Sequence, residues 1–138
     1  MTQATNANEQ LVLDFFTTLS SGDLNALREY IDPDTTWTPM IENVPGAGTH
    51  TGAAICDEFL APVRGLFVDG DPKVHVDSLV SSGDKVMCET RGIGMLRNGR
   101  EYNNLYAWAF IIRGGRIKTI REYMDSHYVM VNIMGAQS

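Results

Sequence analysis

Apolar residues recur near the start of the chain at three- and four-residue steps, Leu11, Val12, Phe15, Phe16 and Leu19, the stripe of an amphipathic helix that Gly22 ends. Asp23 can accept from the free amides of a following turn, and Leu24, Leu27, Tyr30 and Ile31 continue the period until Pro33 forbids further helix. Thr35-Thr36-Trp37-Thr38 is β-branched and aromatic, a strand that Pro39 limits to a short or edge position. Pro45 to Thr51 reads as a loop. From Gly52 onward Ile55, Phe59, Val63 and Phe67 mark a third helix, in which Pro62 must break the bond to the Glu58 carbonyl and bend the axis.

After the turn signal Asp69-Gly70-Asp71-Pro72 the pattern reads as strands: Lys73 to Val80, Lys85 to Leu96, Tyr102 to Ile112 and Ile117 to Met124. Asn98-Gly99 and Gly114-Gly115 favour tight hairpins, so these strands should form an antiparallel meander. Helices first and strands afterwards predict an α+β domain with its helices on one sheet face.

Splitting each strand by alternation puts Met87, Glu89, Arg91, Ile93 and Met95 on one face of the second long strand. Tyr102, Asn104, Tyr106, Trp108, Phe110 and Ile112 share a face of the third, and Ile120, Glu122 and Met124 share one of the fourth. These large, partly polar sets suggest one common surface. Ionisable groups in an apolar setting are costly unless paired, and the simplest pairing is Arg91 with Glu122 or Glu89. A carboxylate held there can have its pKa moved toward neutrality, as a general acid or base requires; a structural Arg–Glu bridge under a packed core is the plainer alternative. Asp125 either works in the pocket or is structural, capping or pairing with Arg121, and His127 is either a proton carrier or a surface residue.

Composition narrows the picture. The 138 residues suit one domain, with 1–8 a polar tail, and no apolar run is long enough to span a bilayer. The net charge of −6, with scattered basic residues, argues against a nucleic-acid partner. The opening residues carry no secretory pattern, so a cytoplasmic location is expected. Cys56 and Cys88 fit no metal spacing, His50 and His75 do not cluster with acids, and the glycines at 46, 48 and 52 lack a dinucleotide fingerprint, so neither metal nor cofactor is expected.

The phrases Leu-Val-Leu-Asp-Phe-Phe (11 to 16), Gly-Asp-Leu-Asn-Ala-Leu-Arg-Glu-Tyr-Ile (22 to 31) and Ile-Arg-Glu-Tyr-Met-Asp (120 to 125), with the order of elements, resemble the SnoaL-like branch of the nuclear-transport-factor-2-like superfamily. The pattern is most similar to limonene-epoxide-hydrolase-like and ketosteroid-isomerase-like proteins. The resemblance implies a cone-shaped roll, three helices closing a strongly curved, mainly antiparallel sheet around a pocket. Against the epoxide hydrolases' set, Arg91 matches the arginine and Glu122 the second aspartate, but Ile93, Trp37 and Pro39 replace the first aspartate, the tyrosine and the asparagine. The resemblance implies a pocket lined by Trp37, Arg91, Ile93, Met95, Asn104, Tyr106, Ile120, Glu122 and Met124, with Phe15 or Phe16 and Leu19 from the first helix.

The function expected is cofactor-free acid/base chemistry, such as isomerisation, dehydration or cyclisation, on a small apolar oxygen-bearing substrate. Glu122 would be the acid or base, Arg91 would set its charge or hold an oxyanion, and Tyr106 and Asn104 would donate to the substrate oxygen. The alternatives are a non-catalytic binder of a small hydrophobic molecule and an epoxide hydrolase with an altered catalytic set. Leu105, Ala107, Ala109 and Ile111 make the convex sheet face apolar, so a homodimer through that face is expected.

Overall fold

The computed structural model describes residues 2–135. Helix α1 (Ala7–Ser21) starts where the Asn6 side chain accepts the Glu9 amide, and stops where Gly22 takes a φ of 78° and its N–H donates to the Leu19 carbonyl. The expected tail is therefore shorter than eight residues. Met1 lies outside the described residues, but Ala7 and Asn8 are helical and the Glu9 carboxylate accepts from Thr5, Asn6 and Ser81. Asp23 caps α2 (Leu24–Leu27), which tightens into a 3-10 turn over Arg28–Tyr30 ahead of Pro33.

Strand β1 (Thr36–Pro39) is short, as Pro39 requires, but it is not an edge: β2 (His50–Thr51), inside the expected loop, pairs with it on one side and β6 (Arg116–Met124) runs parallel to it on the other. The third helical segment also differs. Pro62 has no N–H to give Glu58, and the chain widens ahead of it into a π-helical segment, Ile55–Leu60, closed by the Ala61 amide donating to the Cys56 carbonyl. Helix α3 (Ala61–Arg64) then lasts one turn, and Phe67 lies beyond it, bridged to Leu96.

Strands β3 (Lys73–Ser82), β4 (Lys85–Met95), β5 (Glu101–Arg113) and β6 form the predicted meander, giving one open six-stranded sheet in the order β2-β1-β6-β5-β4-β3, antiparallel except where β1 meets β6. Curved around the helices, it is the α+β cone-like architecture expected.

Two hairpins decide which side chains face inward. Between β4 and β5 the loop holds three residues, Arg97 to Gly99, because the Leu96 amide donates to the Arg100 carbonyl and Gly99 has a φ of 89°. A two-residue turn on Asn98-Gly99 would set Arg91 opposite Tyr106; the longer loop sets Thr90 there and Arg91 opposite Leu105. That slip exchanges the faces of β4. Val86, Cys88, Thr90 and Gly92 point to the interior, and Met87, Glu89, Arg91, Ile93 and Met95 point outward.

The β5–β6 hairpin is tight, with Gly114 and Gly115 at φ of 58° and 74° between paired Arg113 and Arg116. Further along, Ile112 pairs with Ile117 but Ile111 with Thr119, so Lys118 is one residue extra, a β-bulge. Its ammonium donates to Asp32 at 2.8 Å and to Asp34 at 3.0 Å, and hydrogen bonds from Arg116 and Lys118 hold the Asp32 carboxyl down at about 2. Through the bulge Ile117 and Ile120 are both buried, and Glu122 falls opposite Trp108 on the inner face.

The narrow end of the cone is filled by rings. Phe15 lies 5.6 Å from Phe16 and Phe110, 5.8 Å from Trp37 and 5.9 Å from Tyr30. Phe16 and Ile120, expected at the pocket wall, belong to this core: Phe16 packs edge-on to Trp108 at 5.0 Å, and Ile120 is fully buried. On the convex face Met87, Leu105 and Tyr123 are exposed, with Ala107 and Ile111 half-buried and Ala109 buried. Among the described residues no helix is long and apolar enough to cross a membrane. Phe15→Ala should cost about 3–5 kcal/mol in urea unfolding; a loss under about 1 kcal/mol would show that the rings do not hold the helices to the sheet.

Candidate functional site

At its far end the inner face of β4 carries glycine, and neighbouring side chains take the space. A Cβ on Gly92 would meet Tyr106 Cε1 at 3.0 Å, and one on Gly94 would meet Asp71 Cβ at 2.8 Å. Tyr102 and Tyr106, four residues apart on β5 and so on one face, extend over this gap. Phe59 of the π-helical segment and Val63 of α3 close the opposite wall. The result is a cavity of two chambers, each about 80 Å³, which share Phe59, Val63, Tyr102, Tyr106, Glu122 and Ile133. The inner chamber runs toward Leu19, Trp37, Arg64 and Thr90, and the outer toward Ile41, Leu66, Met124 and Val129.

Glu122 sits at the junction. Its Oε1 accepts the Trp37 indole N–H at 3.0 Å, and burial pushes its pKa up to about 7 although that hydrogen bond works in the other direction. The expected partner is elsewhere: Arg91 lies on the outer sheet face, its side chain 45% exposed and 3.8 Å from Asp77. Desolvation, not an arginine, tunes this carboxyl.

The Tyr102 and Tyr106 hydroxyls are hydrogen-bonded to each other, and burial raises both pKa values, Tyr106 well above the usual phenol, so each stays a protonated donor near neutral pH. Asn104 does not line the cavity. Its Nδ2 donates to Tyr102 Oη at 3.0 Å and to the Asp125 carbonyl at 3.3 Å, while its Oδ1 accepts the Leu105 amide at 2.9 Å, so it orients the tyrosines from behind.

Of the other expected site residues, Trp37 and Met124 reach the cavity. Ile93 and Met95, each 38% exposed, are on the outer face with Arg91. Asp125 is exposed and caps α4 (Ser126–Asn132) by accepting the Tyr128 amide at 3.1 Å, the structural alternative; His127 is exposed on that helix. Helix α4 and the residues after it roof the outer chamber with Val129 and Ile133, an element the strand pattern does not predict, although an acidic cap followed by apolar residues at four-residue spacing was available as its signal. Tyr102 and Arg64 also line the cavity without having been singled out as site residues.

Cys56 and Cys88 are buried free thiols, and burial pushes Cys88 up to about 12. Among the described residues no three His, Cys, Asp or Glu side chains cluster as a metal site needs.

A carboxyl with a raised folded-state pKa contributes its full stability below its ordinary value of 4.5 and loses it as pH rises through about 7. The melting temperature of the wild type should therefore fall relative to Glu122→Gln, by several degrees, between pH 5 and pH 8. Parallel melting curves across that range would place the carboxylate in water.

A family model described as a SnoaL-like domain matches residues 12–120. No curated protein matches the sequence significantly. Among solved structures, the chain is similar to TerC crystallised with polyporic acid, with a TM-score of 0.81 at 17% identity over 95% of this chain and 100% of that one. It is similar to an NTF2-like protein of unknown function from Burkholderia pseudomallei, with a TM-score of 0.78 at 21% identity over 94% of this chain and 98% of that one. A third similar structure is a protein with a ketosteroid isomerase-like fold from Catenulispora acidiphila in complex with trimethylamine, with a TM-score of 0.68 at 18% identity over 82% of this chain and 83% of that one. At these identities the likeness shows the fold, while the matched model spans most of the chain: the protein belongs to the SnoaL-like domain family, with the NTF2-like cone as its fold.

Proposed function

We propose that this chain is a cofactor-free enzyme that moves a proton on a small, largely apolar substrate bearing a carbonyl or similar oxygen. The observation that carries the reading is Glu122: a carboxyl with its pKa at about 7, one oxygen fixed by Trp37, at the wall shared by both chambers. A general acid or base works best when its pKa lies near the working pH. Either hydroxyl of the Tyr102–Tyr106 pair can donate to the other, and in this reading Tyr102 donates to Tyr106 Oη when substrate is bound, which frees the Tyr106 O–H for the substrate oxygen. Ionised Glu122 takes the proton from the carbon next to the carbonyl. The C–H electron pair moves onto oxygen, where the Tyr106 hydrogen bond meets the developing charge. Protonated Glu122 then returns the proton to another carbon, or to a departing hydroxyl, which separates isomerisation from dehydration. Of the epoxide-hydrolase set, Glu122 and the substituted Trp37 and Pro39 line this cavity, while Arg91 and Ile93 face outward. Two structural neighbours hold small organic molecules in their crystals, polyporic acid and trimethylamine, in keeping with a small-molecule chamber.

The test uses small cyclic β,γ-unsaturated ketones, followed by absorbance of the conjugated product and by deuterium exchange. Turnover should rise with pH through an apparent pKa near 7; Glu122→Gln should remove about 10³-fold of the rate and Tyr106→Phe about 10²-fold. A wild-type rate no greater than that of Glu122→Gln for every ketone would remove the enzyme reading and leave a binding protein, and diol formation from cyclohexene oxide would redirect it to epoxide hydrolysis.

We also propose a cytoplasmic homodimer through the convex face, where the exposed Met87, Leu105 and Tyr123 are apolar groups that a two-fold partner would cover. Light scattering after size exclusion should give twice the chain mass, and Leu105→Arg should halve it; a wild-type monomer would contradict the pairing.

A further inference from the structure

Arg64 borders the inner chamber on one side and, on the other, a surface hollow that it shares with Asp69, Asp71 and Arg97. Arg64 ends α3 and is half-buried, with Leu60, Val63, Phe67 and Val74 among the other residues of that chamber. Among the described residues one of its five N–H donors finds a partner: Nη2, beside Gly22, donates to the Pro72 carbonyl at 3.3 Å. Among the described residues it makes no ion pair, whereas Arg97 nearby is bound to Asp69 at 2.7 Å. Asp71, whose charge Arg64 feels, directs Oδ2 to the Met95 amide at 2.9 Å. A partly desolvated guanidinium with N–H donors left over favours an anion, and its planar fork matches a carboxylate. The rest of the cavity is graded: the titrating Glu122 lies at the junction, and the outer chamber presents Ile41, Val44, Leu66, Met124 and Val129.

We propose that the inner chamber is an anion subsite in which Arg64 receives the carboxylate of a small organic acid, whose apolar body passes Glu122 into the outer chamber. This rests on the reading of the cavity as a substrate chamber and deepens it: the substrate class becomes an amphipathic organic anion, and Arg64 a specificity residue. An acid bound this way presents the carbon between its carboxylate and its apolar end to Glu122.

Trp37 and Trp108 both border the inner chamber, so intrinsic fluorescence reads occupancy. The 138-residue chain is titrated at pH 6 with 3-phenylpropionate and with 3-phenylpropanol, which keeps the shape without the charge. The wild type should prefer the acid by about tenfold or more, the strength of a charge-assisted contact. Arg64→Met should abolish the preference while leaving the alcohol's affinity in place, and Arg64→Lys should retain part of it. Glu122→Gln should keep the preference, so the subsite stands or falls independently of whether any ketone is turned over. Equal affinity of the wild type for the two probes, a preference surviving in Arg64→Met, or no binding of either probe would overturn the proposal.

Discussion

A carboxyl group set against indole, phenol and aliphatic walls loses most of its hydration, and the properties of this cavity depend on the register that puts Glu122 there. Burial favours its neutral form strongly enough to bring the pKa to about 7, even with the Trp37 indole donating to one oxygen. That placement traces to one extra residue. Without the bulge at Lys118, the pairing that starts at Arg113 and Arg116 would carry Arg121 to the inner face and Glu122 to the outer one. The bulge is anchored from outside by Asp32 and Asp34 on the Lys118 ammonium, so surface ion pairs near the helices support the chemistry of the interior.

Packing and site also share Trp37. Its ring lies 5.6 Å from Phe59 and from Trp108 and 5.8 Å from Phe15, while its N–H holds Glu122. The aromatic core thus fixes the hydrogen-bond donor, and the donor fixes the carboxyl. Asn104 plays the matching part for the tyrosines, with its amide committed to Tyr102, the Leu105 amide and the Asp125 carbonyl. The cavity end of the cone is preorganised by packing around a wall residue, Trp37, and by Asn104 behind the wall.

Helix and strand periods, the proline and glycine breaks and the order of elements were legible in the amino-acid sequence, because each follows from local backbone chemistry. The inner faces of β5 and β6 were legible too. The face of β4 was not, because the Asn98-Gly99 pair suggests a two-residue turn where the chain makes a three-residue loop. Size misled in the same direction: Met87, Ile93 and Met95 look like core, yet Gly92 and Gly94 mark the inner face, since large tyrosines from the neighbouring strand need that room. With β4 reversed, the ion pair expected between Arg91 and Glu122 gives way to a desolvated acid, and the cation of the cavity comes from Arg64 on α3. Helix α4 escaped because it is seven residues long with one buried position, Val129, and follows directly on a strand.

The ionisation of Glu122 can be read directly. With glutamate carbon-labelled at its side-chain carboxyl, the Glu122 resonance, assigned by its absence from Glu122→Gln, is followed by NMR from pH 4 to pH 9 in the unliganded protein. A midpoint near 7 is expected for a carboxyl desolvated among Trp37, Tyr102 and Tyr106. A midpoint near 4.5, the ordinary value, would mean that water reaches the group freely and that it has not been tuned for proton transfer.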